Sequence, residues 1–239
     1  MATEQLQVEE QEMSLWDHIG ELRMRLVKAM AALVVTTVLS VTYLATYAIE
    51  FLAVPAGGLQ RLVAVEVTES VGVYMRVALL AGFILALPII LYQVIAFIVP
   101  GLYPHERRWL YTSIPIATLL FIAGVAFSYY VMLPAAFVFL TTFLPVQPMT
   151  SVSTYVAFVT NLMFWIGLSF EMPLVVFILA KFKIVTSGML LKQWRFAIVI
   201  IAVLAAMITP TVDPVNMALL MAPLFAIYLL SILFAKFAR

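Results

Sequence analysis

The chain has 239 residues, 65% of them hydrophobic and 10% charged, with a net charge of +1. A soluble domain carries roughly a quarter charged residues, so this chain is too apolar for a watery surface and reads as an integral membrane protein. The near-neutral balance gives no basic signal for nucleic acid, and the lack of cysteine excludes disulfides, thiolate metal sites and a cysteine nucleophile.

Residues 1–13 are polar and acid-rich, with no apolar h-region, and read as a mobile tail rather than a secretory leader. Ser14-Leu15-Trp16-Asp17 has the form of a capping box. Leu15, Ile19, Leu22 and Leu26 then recur at helical spacing, which predicts a short amphipathic helix along the inner leaflet. A membrane-crossing helix needs about 20 apolar residues. Successive runs predict spans over Val27 to Ile49, Val71 to Val99, Trp109 to Leu133 and Thr154 to Ala180, then shorter ones over Phe196 to Ile208 and Val215 to Ala235. Gly82 and Pro88 are expected kink points in the second. The fifth run would cover only about 20 Å, so it implies local thinning of the bilayer or a helix extended to Trp194 and Thr209. The expected fold is all-α and polytopic: one six-span domain over residues 14–236, with residues 237–239 as a C-terminal tail.

With the N-terminus inside, the inner segments hold Arg23, Arg25, Lys28, Arg107, Arg108, Lys181, Lys183, Lys192, Arg195, Lys236 and Arg239. The outer ones hold Arg61 and, at their edge, Arg76. Inner basic excess therefore predicts both termini inside. The outer loops Glu50 to Ser70 and Pro134 to Ser153 are long enough to cap the outer face, the second around a short helix between its prolines.

Four acids invite a local reading. Glu21 can pair with Arg25 at i,i+4. Glu106 and Glu69 stand near helix starts, where a carboxylate complements the dipole. Asp213 precedes a proline in a turn. Glu171 is different, because it lies about 15 Å from the inner boundary in a run almost free of charge. An acid there costs on the order of 3 kcal/mol and marks a functional site. No basic side chain lies at mid-span to pair with it, so it is expected to be protonated, wet, or hydrogen-bonded to Thr160, Asn161, Ser169 or Gln93.

Several strings are recognisable in order. They are His18-Ile19-Gly20-Glu21-Leu22-Arg23, Pro88-Ile89-Ile90-Leu91-Tyr92-Gln93, Phe97 to Pro100 leading into Gly101-Leu102-Tyr103-Pro104-His105-Glu106-Arg107-Arg108, Gly167 to Pro173, and Thr209-Pro210-Thr211-Val212-Asp213-Pro214. In these the chain resembles the TatC family, the multispanning core of the twin-arginine protein translocase. The resemblance implies a non-enzymatic role in the cytoplasmic (cell inner) membrane, without cofactors: export of folded proteins, driven by the proton-motive force. It implies as partners the small single-span TatA and TatB type subunits, twin-arginine signal peptides of folded cargo and membrane lipid, in an oligomeric complex. By motif, Glu21 and Glu106 would receive the arginine pair, with Phe97 and Pro100 shaping the loop. Glu171 and Gln93 would line an intramembrane groove for partner or substrate, and Asp213 and Glu69 would be outer-loop acids. The chain departs from the family at Ser70-Val71, Pro104 and Leu229.

Guanidinium and carboxylate pair through a bidentate fork that lysine cannot reproduce, which suits two inner-face acids to an arginine pair. The competing reading is a proton-coupled secondary carrier with Glu171 as its proton site. The two halves of the chain show no matching repeat, which weighs against it.

Overall fold

A single helix, α1 (Leu15–Tyr43), takes up both the amphipathic segment and most of the first expected span. No break separates them, since the residues from Arg25 to Leu33 are all compatible with helix and contain neither glycine nor proline. The interruption comes later, at Leu44, after which α2 (Ala45–Ala53) and short 3₁₀ turns at Val54–Ala56 and Leu59–Arg61 take up the end of the first expected span and the expected first outer loop. The computed structural model describes residues 15–101, 104–136, 151–209 and 214–238. The tail up to Met13, the cap Ser14, most of the second outer loop, Asp213 and Arg239 lie outside the described residues.

α3 (Glu69–Ile98) runs unbroken through Pro88. Its 30 residues reach about 45 Å, the full thickness of a bilayer with its headgroups. α1 packs along it, and the approach is close because Gly82 has no side chain. A Cβ there would stand 2.7 Å from Thr37 Cα and 2.9 Å from Thr37 N. The Thr36 hydroxyl donates to the Gly82 carbonyl at 2.8 Å, and the Tyr74 hydroxyl to the Val41 carbonyl at 2.6 Å. Small residues and side-chain hydroxyls join helices in lipid in this way, where the hydrophobic effect between helices is weak.

α4 (Pro104–Phe127) continues through a π-helical turn, Ser128–Met132. It crosses α5 (Val152–Ser169) at a second glycine contact: a Cβ on Gly124 would lie 2.9 Å from Gly167 Cα and 2.8 Å from the Phe170 ring. The expected fourth span is therefore two helices, α5 and α6 (Met172–Lys181), separated at Phe170-Glu171. Pro173 explains the break, because its ring would strike the carbonyl of Ser169, the last residue of α5.

α7 (Ser187–Lys192) is a short helix capped by the Thr186 hydroxyl, which accepts from Met189 N at 3.2 Å. α8 (Trp194–Ile208) follows, then α9 (Pro214–Phe237). Trp194 opens α8 and Thr209 caps it, so its 15 residues span about 22 Å, short of a core of about 30 Å. α9 has 24 residues, and its apolar stretch Met217–Phe237 has 21 against 28 to 30 in the four long stretches before it, so both final spans are shorter and α8 is the shortest.

Among the described residues, five helical stretches are long and apolar enough to cross a membrane: Trp16–Tyr43, Glu69–Ile98, Arg107–Ala136, Val152–Lys181 and Met217–Phe237. The main core lies where α3, α4 and α5 meet, around Val77, Leu133, Val159, Leu162 and Ile166, with Ala205 of α8 and Leu220 of α9 closing it. Tyrosine hydroxyls hang the first outer loop on this core: Tyr129 donates to the Phe51 carbonyl at 2.7 Å and Tyr155 to the Leu52 carbonyl at 2.8 Å.

Candidate functional site

Of the residues expected to recognise arginine, Phe97 meets the start of α1, three residues before Glu21. His18 of α1 stacks on Phe97 near the end of α3, ring centroids 4.3 Å apart and 21° from parallel. This ties the start of α1 to the turn Val99–Gly101 that carries Pro100 and leads into α4. Buried Ile95, Val99 and Leu110 fix that turn from below, so the first turn of α4, which contains Glu106, is held by its own helix. The side chain of Glu106 lies outside the described set. Pro100 is exposed and Phe97 half-buried.

Glu21 sits one turn after His18 on α1. Its Oε1 accepts from Arg25 Nε at 2.9 Å and Nη2 at 2.5 Å, with both side chains less than a quarter exposed. The local i,i+4 pair is thus formed, with both guanidinium nitrogens on a single carboxylate oxygen rather than in a two-oxygen fork. The stripe beside it stays bare: Ile19, Leu22 and Leu26 are all about half exposed or more. The α1 surface is therefore left for lipid or another chain.

Glu171 is 8% exposed and stands at the helix break. Its carbonyl accepts from Val175 N at 3.0 Å, starting α6, but its Oε1 is buried without a hydrogen-bond partner among the described residues. Two of the four expected polar neighbours are occupied elsewhere. The Thr160 hydroxyl donates to the Val156 carbonyl at 2.7 Å and Ser169 to the Trp165 carbonyl at 2.7 Å. Asn161 faces a notch shared with Arg76 and Phe83. Gln93 on α3 has the same condition as Glu171, a buried side-chain oxygen with no partner. A buried carbonyl or carboxylate left unmatched costs about 1–3 kcal/mol, more when charged, so both atoms favour an incoming donor.

Glu69, the first residue of α3, is hydrogen-bonded across to the start of α5. Both its carboxylate oxygens accept from the Ser151 hydroxyl, at 3.1 and 3.2 Å, and Oε2 also accepts from Val65 N at 3.2 Å. Val152 N donates to the Val63 carbonyl at 3.0 Å beside it. Glu69 thus knots the first outer loop to the start of α5. Asp213 lies outside the described residues.

The His18 stack and the Tyr129 and Tyr155 anchors are not foreseen from the residue order. Tyrosine inside an apolar run was the available signal, since a buried hydroxyl needs a partner. Among the described residues no group of three or more His, Asp or Glu side chains is arranged to hold a metal ion.

Residues 17–223 match the family model described as Sec-independent protein translocase protein (TatC). A protein of that name from Carboxydothermus hydrogenoformans is 35% identical over 97% of this chain and 96% of its own length. One from Deinococcus radiodurans is 40% identical over 94% and 86%. A crystal structure of the twin-arginine translocase receptor TatC, 36% identical, superposes with a TM-score of 0.83 over 92% of this chain and 99% of its own. A second crystal structure of a twin-arginine translocase receptor TatC, in DDM, 34% identical over the same shares, gives 0.84.

Proposed function

The chain belongs to the TatC family of Sec-independent protein translocases, and from that premise we propose that it receives twin-arginine signal peptides at its inner face and organises partner subunits around them. It is a multi-pass membrane protein of the twin-arginine pathway, a family of translocase components rather than of catalysts. The finer reading rests on one observation, the His18–Phe97 stack. That contact carries the Glu21 helix against the turn that leads to Glu106, so two acids from separate spans share one rim. One arginine of the leader takes Glu21, displacing Arg25, and the other takes Glu106.

In this reading the chain makes six crossings, with both termini on the side where the basic residues gather and α8 as the short crossing. The membrane is the cytoplasmic one, and the proton-motive force drives transport. Glu171 and Gln93, each with an unmatched buried oxygen, form intramembrane docking points for polar groups on the single-span TatA and TatB type helices or on the inserted leader. Asp213 acts from the outer loop.

The test is export of a folded reporter in cells that have this chain as their sole receptor subunit. Charge reversal Glu106→Lys is expected to abolish export with an arginine-pair leader, and a lysine-pair leader is expected to fail with the unaltered chain. Normal export in either arm removes the carboxylates from the receptor. Uptake of a small solute that responds to pH and is lost in Glu171→Gln would instead favour the carrier reading.

A further inference from the structure

α4, α6 and α9 enclose a cleft of about 250 Å³ that the translocation reading does not use. Its walls are apolar: Leu110 and Ile116 of α4, Phe177 and Ile178 of α6, and Phe234 of α9. Phe177 and Phe234 meet edge to face at 6.4 Å across one side, and Val176, Ala180 and Ala235 pack α6 onto α9 behind them. Two hydroxyls line the cleft, and both are satisfied within α4. Thr112 donates to the Arg108 carbonyl at 2.9 Å and Ser113 to the Leu110 carbonyl at 2.6 Å. The interior therefore asks for nothing polar.

The mouth is the opposite. Lys181, the last residue of α6, holds its ammonium 5.5 Å above the Trp109 ring, where the cation–π attraction keeps the charge at the opening. Lys181 and Trp109 are both exposed, as is Arg108 one residue before Trp109. No acid lines the cleft among the described residues. Trp109 lies five residues into α4, about 7 Å along its axis, the depth at which indole rings settle between headgroups and chains.

An apolar slot between spans, opened by a lysine and floored by aromatic rings, fits one occupant chemically. We propose that this cleft binds an anionic phospholipid, with an acyl chain between α4, α6 and α9 and the phosphate on Lys181. Basic pockets between membrane helices hold anionic headgroups by this combination of charge and apolar contact. The apolar stretch of an export leader would fit the slot in shape, but the leader's own arginines would meet Lys181 and Arg108 at the mouth. Charge thus sends the leader to the acid-bearing rim and leaves the cleft for lipid.

Native mass spectrometry of the full chain in neutral detergent tests this, with added dioleoyl-phosphatidylglycerol or dioleoyl-phosphatidylcholine and no cargo present. The unaltered protein is expected to retain phosphatidylglycerol preferentially. K181A should reduce that preference about five-fold, while K181R keeps it. I178W, which fills the slot, should lower retention of both lipids, and its melting midpoint in detergent reports whether it has folded. Equal retention of the two lipids by the unaltered protein overturns the proposal, as does a K181A variant with unchanged preference. Displacement of the lipid by an arginine-pair leader that binds K181A better than the unaltered chain would assign the cleft to the leader. A failed lipid preference leaves the receptor reading intact, because that preference is measured before any leader is added.

Discussion

His18 and Phe97 stack at 4.3 Å although 78 residues separate them, and this contact joins the two strings that contain Glu21 and Glu106. A near-parallel pair of rings contributes about 0.5–1.5 kcal/mol beyond its buried area. His18→Ala and Phe97→Ala are therefore each expected to weaken binding of an arginine-pair leader peptide several-fold. The double variant should lose little more than either single one. Independent, additive losses in a double-mutant cycle would mean that the rings act separately and do not assemble the rim.

Arg25 competes for the carboxylate the leader needs. Removing it frees Glu21 from an i,i+4 pair worth a few tenths of a kcal/mol. Arg25→Ala is expected to leave the melting midpoint in detergent nearly unchanged and to tighten leader binding about two-fold. Weaker binding would show that Arg25 orients Glu21 rather than occupying it.

The three glycines Gly20, Gly82 and Gly124 should respond differently to one added methyl group. At Gly82 the new Cβ would meet the Thr37 backbone, which cannot rotate away, so Gly82→Ala is expected to cost about 1–3 kcal/mol. Gly124→Ala meets Gly167 Cα and should behave similarly. Gly20 has nothing within 4 Å and lies inside α1, so Gly20→Ala should be neutral or stabilising by about 0.5–1 kcal/mol. Thermal unfolding in detergent separates these outcomes; an undisturbed Gly82→Ala protein would contradict the close α1–α3 approach.

Glu69 and Ser151 are expected to couple between the start of α3 and the start of α5. Each single substitution, Glu69→Ala or Ser151→Ala, should speed hydrogen exchange at Val65 and Val152, whose amides belong to the same knot. The coupling energy in a double-mutant cycle should be about 1 kcal/mol. Unchanged exchange at Val152 would mean that the bridge to Val63 holds without the carboxylate.

Glu171→Ala is expected to reduce site-specific crosslinking to single-span partner helices more than it reduces leader binding, because the rim acids are on other elements. Glu171→Gln should retain part of the crosslinking, since the amide oxygen still accepts. The opposite order, with leader binding lost first, would place Glu171 on the substrate path.

The membrane class, the helical spans and the strings that mark the family were legible in the order of residues, because hydropathy and helical period are local properties of a chain in lipid. So was the oddity of Glu171, since a charge inside an apolar run needs no structure to be noticed. Other features depended on which elements meet. Pro173 could be seen in the sequence, yet whether it kinks a helix or splits it depends on neighbours that can re-satisfy the freed backbone; Pro88 is absorbed and Pro173 is not. Thr160 and Ser169 looked like partners for Glu171, but their hydroxyls bond carbonyls one turn back on their own helix, which costs no tertiary contact. Glu69 looked like an ordinary helix-start acid, and Ser151, 82 residues away, makes it a fastener. Local composition decided what could enter the bilayer; the crossing of helices, close at Gly82 and Gly124, decided which polar atoms found each other and which buried oxygens, those of Gln93 and Glu171 among them, were left waiting.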